Sequence, residues 1–306
     1  MGAKTVKKYY NNPMAKVSAI THQIDTLRER YHQAAVDNEA LISLINDAEV
    51  AEQVYNSNAI ENSTLSLEET EKILLQIDLE RYISERELFE AKNLARVVAY
   101  IGKKAPESPL TLEMILLLHK LLLSNIRDEI AGRLRQGNEY VRVANHIAPP
   151  PSELHRLIQE MLTAYQGNSR ESIIKRIAKT HLAFEYAHPF VDGNGRIGRI
   201  INNYLLIRDG FVPINIKFLD RKLYYAAFKA YDESGGTQLM EDIVGKALTN
   251  SYHKRLAYLE GKKIVTLNAY AKTHKLSHAN LINKANRQTI PAFLEKGIWK
   301  IAVESA

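Results

Sequence analysis

The sequence contains no cysteine. Disulfides, thiolate metal ligands and a cysteine nucleophile are excluded, and the composition fits a reducing compartment such as the cytoplasm. No run of about 18 apolar residues is present, which argues against a membrane span. The opening MGAKTVKKYYNNP lacks the apolar stretch of a secretory signal. Val6 breaks the myristoylation pattern that Met1-Gly2 would begin. HExxH is missing, so with no cysteine a zinc site is not expected. Charge of one sign is not massed: 41 Lys and Arg stand against 35 Asp and Glu, a net +6. Because the basic residues are scattered, a solvated surface with a local anion site accounts for that charge better than a nucleic-acid partner does.

What is there is an ordinary globular mixture. With 306 residues, 45% of them apolar and 25% charged, the chain can bury a core as one large or two to three small domains. Most of it reads as helix. From Ala15 to Asn62 apolar residues recur every three or four positions with no proline. Ser66 with Glu69 and Ser84 with Glu87 have the spacing of capping boxes opening two further helices. KKAPESP (103–109) is a breaker cluster and a domain boundary. Only Gly132 to Pro151 turns β-like before the C-terminus. There EYVRVANHI alternates, and Ala144-Asn145 makes a hairpin tip. A lone hairpin is marginal, so it should lean on the helices, and its edge could pair with an extended peptide. Helices resume from Ser152, and the C-terminus reads as helix, helix and a short strand-like end.

The densest chemistry lies in HPFVDGNGRIGR, His188 to Arg199. His188 stands just past a helix end and before a proline, a rigid mount for a base that works near neutral pH. Asp192 is a hard oxygen ligand of the kind Mg²⁺ prefers. Gly193, Asn194 and Gly195 let successive backbone N–H groups face one way, a nest for anions, and the helix that follows adds its positive end. Arg196 and Arg199 are three apart and share a helix face, two forks suited to a polyphosphate. A base beside a phosphate cradle points to in-line attack of a hydroxyl on phosphorus. No Walker Gly-Lys-Ser/Thr loop is present, and a helix rather than a strand precedes the motif, against a dinucleotide fingerprint.

These residues resemble the Fic motif, HPFx[D/E]GNGR, with IGR extending it to the second arginine. The resemblance spans roughly Thr111 to Tyr231. It implies a mainly α fold: a Fic-type helical bundle core with a β-hairpin flap, an N-terminal helical region and a C-terminal winged-helix-like module. The expected divisions are 1–105, 106–250 and 255–306. It further implies transfer of AMP from ATP, with Mg²⁺, to a hydroxyl of a target protein and release of pyrophosphate. His188 resembles the base and Asp192 the Mg²⁺ ligand. Gly193, Asn194 and Gly195 resemble the phosphate turn, and Arg196 and Arg199 the contacts to the outer phosphates. Val143, Ala144, Asn145 and His146 resemble the nucleotide-facing part of the flap, along whose residues 138–148 a target segment would lie. Tyr224 and Tyr225 resemble an aromatic pair near the adenine, although a tyrosine stripe on an apolar helix is equally a core feature. Gly195 argues against the kinase-like branch of the family, which carries lysine there.

SNAIEN (57–62) resembles the family's inhibitory pattern. Ser57 and Glu61 are i and i+4 on one helix, and a carboxylate facing Arg199 would take the place of a phosphate. The expectation is an enzyme restrained by Glu61. Other readings stay open: removal of AMP by a water that Glu61 orients, another nucleotidyl or phosphoryl transfer, or a DNA-binding regulator whose Fic core senses nucleotide. His119 and His181 read as core or hydrogen-bonded supports, whereas the hairpin brings His146 near the site. The C-terminal segment 267–288 resembles a helix-turn-helix followed by a wing-like GIWKIA, carries Lys272, Lys275, Lys284 and Arg287, and is weighed more as a protein-contact module than as a DNA reader. Self-modification and a homodimer are both compatible with the sequence.

Overall fold

A computed structural model describes residues 13–143 and 146–304. The expected hairpin tip, Ala144-Asn145, lies outside the described residues. The long N-terminal periodic run divides in two: α1 (Pro13–Ala35) and α2 (Glu39–Ile60). Asp37 takes a left-handed conformation (φ 60°) and the Asn38 amide donates to the Ala34 carbonyl, closing the first helix. Ser66 makes a complete capping box with Glu69 at the start of α3 (Leu67–Leu74). At α4 (Glu85–Lys104) only half of the expected box forms. The Ser84 hydroxyl accepts from the Glu87 N–H, but the Glu87 carboxylate also reaches across to accept from Thr64. That bond ties the end of α2 to α4.

The next elements are α5 (Leu112–Leu123), the hairpin β1 (Arg142–Val143) and β2 (His146–Ile147), α6 (Leu154–Gly167), α7 (Ile173–Ala187), α8 (Asn194–Arg208), α9 (Arg221–Ser234) and α10 (Gln238–Leu259). The hairpin ladder is shorter than the alternation suggests. Glu139 is drawn back by a two-pronged bond to Arg133 and by the Gln136 N–H, so the chain curls before the strand begins. Helix α8 is the central rod. Buried positions fall on every side of it, as expected of a helix enclosed by others, and they include Arg196 and Arg199. It packs on α7, α4, α5 and α2. One continuous apolar core runs from Ile24 to Leu256, so α1, α2 and α4 share it with the central helices.

After α10 the chain forms β3 (Lys263–Thr266), α11 (Leu267–Thr273), α12 (His278–Asn286), β4 (Ala292–Glu295) and β5 (Ile298–Val303). The sheet order is β3-β5-β4, all antiparallel. With α11 and α12 against it this is a winged-helix arrangement with its own small core, including Leu267, Leu281 and Ile301. Strand β3 is not anticipated by the sequence pattern, because four residues, the first of them Lys263, carry little periodicity. The fold is therefore mainly helical, with two small sheets among the described residues. No described helix is long and apolar enough to cross a membrane.

Candidate active site

The turn between α7 and α8 is built around three buried anchors. His188 ends α7 in the left-handed region (φ 44°), where a non-glycine residue is strained. Arg135, 2% exposed, holds it there. Its guanidinium donates to the carbonyls of His188 (2.8 Å), Ala187 (3.2 Å), Glu139 (2.9 Å) and Pro149 (2.9 Å). One side chain thus clamps the turn to both ends of the hairpin segment. The Asn194 amide closes the loop from within, accepting from the Phe190 N–H and donating to the Phe190 carbonyl. His119 is the third anchor. Its Nδ1 accepts from the Gly132 N–H, so Nε2 carries the proton and donates to the Asp192 carbonyl at 3.0 Å. Its ring stacks on Phe190 at 3.7 Å, and burial lowers its pKa to about 4.

A cavity of about 570 Å³ opens beside this turn, the size of a nucleotide-class ligand site. Glu61, Val143, His146, His188, Gly195, Tyr224 and Tyr225 all face it, along with Glu185. The His188 ring is largely buried, and desolvation is the main reason its pKa falls to about 4; Arg135 and His146 repel its charged form further. At neutral pH it is an uncharged imidazole, able to accept a proton. His146 is fixed at the rim by the Tyr186 carbonyl (2.9 Å) and Asp232 (3.3 Å). Tyr225 is partly exposed, whereas Tyr224 is buried with its hydroxyl between His181 Nε2 (2.8 Å) and Arg199 (3.1 Å). The two tyrosines thus part ways: both rings line the cavity, but the Tyr224 hydroxyl belongs to the arginine's setting.

Arg199 makes four hydrogen bonds. It donates to the Ser57 hydroxyl (2.9 Å), the Ser57 carbonyl (2.8 Å), the Glu61 carboxylate (2.8 Å) and Tyr224. Burial works against its charge, but Tyr224 and Glu61 outweigh that and keep its pKa raised. The Glu61 carboxylate also lies directly over the motif turn: a Cβ placed on Gly195 would come within 2.2 Å of its Oε1. Any side chain at this position would push the Glu61 carboxylate from its present place. Arg196 and Asp192 are turned to the other side. Arg196 pairs with Glu90 (3.0 Å) and Asp192 (3.2 Å), and Arg86 reaches the second Asp192 oxygen at 2.8 Å. Burial would raise the Asp192 carboxyl, but Arg196 and Arg86 prevail and hold it below its ordinary range.

Three participants were not legible in the sequence reading. Arg135 and Arg86 act through contacts far along the chain, with no spacing signal. Glu185 sits three residues before His188, its side chain 9% exposed and its Oε1 without a hydrogen-bond partner. Burial, reinforced by Glu61, raises its pKa to about 8, so it is a neutral acid at physiological pH.

Comparison with known proteins agrees with this geometry. Residues 109–206 match the model of the Fic/DOC family. That span is similar to a Fic/DOC domain and contains the turn from His188 to Arg199. Curated relatives named protein adenylyltransferase Fic include one from Nematostella vectensis, 30% identical over 57% of this chain and 41% of that protein. Another, from Drosophila willistoni, is 28% identical over 76% of this chain and 49% of that protein. The chain thus spans less than half the length of these relatives. Among solved structures, a Fic domain-containing signaling protein from Bacteroides thetaiotaomicron superposes with a TM-score of 0.71 at 22% identity, over 78% of this chain and 97% of that one. A Fic family protein from Desulfovibrio desulfuricans G20 superposes with a TM-score of 0.65 at 19% identity, over 99% of both chains. The second likeness extends the shared fold beyond the Fic domain to nearly the whole chain.

Proposed function

We propose that this chain transfers AMP from ATP to a hydroxyl of a protein and is restrained by its own Glu61. The observation that carries the reading is the cavity in which an uncharged His188 and the glycine turn meet, with a carboxylate standing on the arginine of that turn. The curated relatives named adenylyltransferases support the choice of reaction. His188 takes the proton of the target hydroxyl, whose oxygen attacks the α-phosphorus. The bond from that phosphorus to the bridging oxygen breaks, and pyrophosphate leaves with the electron pair. The N–H groups opening α8, which have no acceptor within the helix, and the Arg199 guanidinium hold the outer phosphates once Glu61 has withdrawn. The neutral Glu185 keeps a second negative charge away from them.

Asp192 supplies an oxygen donor of the kind Mg²⁺ takes, and Arg196 and Arg86, which engage its two oxygens here, would have to give one up. That carboxylate is held ionised beside the phosphate turn, and Mg²⁺ commonly binds through one carboxylate together with substrate phosphates. No group of three or more ligating side chains exists among the described residues, so the ion would arrive with the nucleotide and supply charge neutralisation there. The target presents an extended segment along the hairpin, where the exposed Val143 and Ile147 side chains offer an apolar surface. His188→Ala tests the proposal: label from α-labelled ATP should no longer reach protein, while ATP binding measured by calorimetry persists in the Glu61→Gly background. Undiminished transfer by that variant would remove His188 as the base.

A further inference from the structure

The Fic core does not account for the charge of the C-terminal module. From Gly261 to Leu294 there is no Asp or Glu, while Lys262, Lys263, Lys272, Lys275, Lys284 and Arg287 are present. These six cations equal the entire excess of basic over acidic residues in the chain, so the remainder is balanced. The sequence taken alone showed no dense basic face. In the fold Lys272 lies on α11, Lys275 on the turn after it, Lys284 on α12 and Arg287 at the C-terminal cap of α12, and α11 packs against α12. All four are exposed, and none has an ion-pair partner among the described residues. Elsewhere on the surface cations are commonly neutralised, as Arg156 is by Glu153 and Glu160, or Lys72 by Glu68.

The exposed face of α12 is equally specific in its chemistry. Leu281 and Ala285 point into the small core. Asn280, Asn283, Lys284 and Arg287, at i, i+3, i+4 and i+7, form one outward stripe. Asparagine amides pair with adenine edges, and arginine or lysine with guanine, so this stripe carries the donors and acceptors that read base pairs. A helix about 10–12 Å across enters the major groove of B-form DNA, which is about 12 Å wide, whereas the deep, narrow groove of duplex RNA excludes it. The wing is not available for the same purpose. Lys296 at its tip pairs with Glu71 (2.7 Å), and its N–H donates to Glu52 (3.0 Å). The wing holds the module against α2 and α3 and leaves α12 facing outward.

We propose that α12 and the turn before it form a docking surface for duplex DNA, a second binding site independent of the Fic cavity. Lys272 and Lys275 meet phosphates, while the α12 stripe enters the major groove. The test is fluorescence anisotropy of the full chain with a labelled random-sequence duplex. Four cations releasing counterions give a slope of about −3.6 in log K against log salt, or about 150-fold weaker binding between 50 and 200 mM salt. The double variant Lys284→Glu/Arg287→Glu should bind at least about tenfold more weakly at 50 mM salt, with Lys103→Glu, an exposed cation on α4, unchanged. If the double variant melts early, Lys272→Glu/Lys275→Glu replaces it with the same expectation. The proposal is overturned if the wild-type chain gives no anisotropy change at 50 mM salt, if the charge-reversed variants bind as it does, or if single-stranded RNA of equal length binds as well as the duplex.

Discussion

Glu61→Gly should raise transfer of AMP by about 10- to 100-fold. The magnitude follows from the contact it removes. The Glu61 Oε1 and Arg199 Nη2 atoms are 2.8 Å apart, with the arginine side chain 8% exposed and the glutamate 34% exposed. Unit charges about 4 Å apart attract by about 4 kcal/mol at an effective dielectric near 20. Water reaching the glutamate screens part of this. A hydrogen bond to a charged group is worth about 1.5–3 kcal/mol net, and each 1.4 kcal/mol is a factor of ten in occupancy by the nucleotide. Incorporation of label from α-labelled ATP into protein is the assay. Labelling no higher than wild type would refute the reasoning. Glu61→Gln separates charge from bulk: it keeps the volume over Gly195 but loses the ion pair, so it should fall between wild type and Glu61→Gly. A Gln variant as restrained as wild type would show that the filled space, not the charge, blocks the phosphate.

Two further expectations concern stability. Glu49→Ala strips the buried Arg255 of its carboxylate partner and Lys254 of one of two, and should cost about 3–5 kcal/mol in chemical denaturation; an unchanged midpoint would mean these cations find water instead. The buried titratable groups set opposite pH windows. Glu185 is raised from 4.5 to about 8, so the native state keeps a proton the unfolded chain releases; its contribution is present below pH 4.5 and is lost as pH rises to about 8. Glu185→Gln should therefore gain melting temperature relative to wild type at pH 8 and not at pH 4. His119, His188 and His253 are lowered from 6.5 to about 4; their contribution is present above pH 6.5 and disappears as pH falls to about 4. A flat stability profile from pH 6.5 to 4 would contradict their burial in the neutral form.

The helices, the complete cap at Ser66 and the motif turn were all legible in the sequence. Each depends on residues within a few positions of one another, and local spacing carries that information. Resemblance also singled out Glu61 and Arg199, but their contact joins residues 138 positions apart, and only the packing of α2 on α8 brings them to 2.8 Å. The same holds for Arg135 clamping the His188 turn, for Arg86 on Asp192 and for the burial that keeps Glu185 neutral. None of these leaves a periodic or compositional trace, because a lone arginine or glutamate in a polar stretch looks like solvated surface until the fold removes the water around it. The cations of the C-terminal module are the reverse case: they are plain in the sequence, but that Lys272, Lys275, Lys284 and Arg287 all stay exposed while Leu281 and Ala285 are buried was decided by the packing of the module.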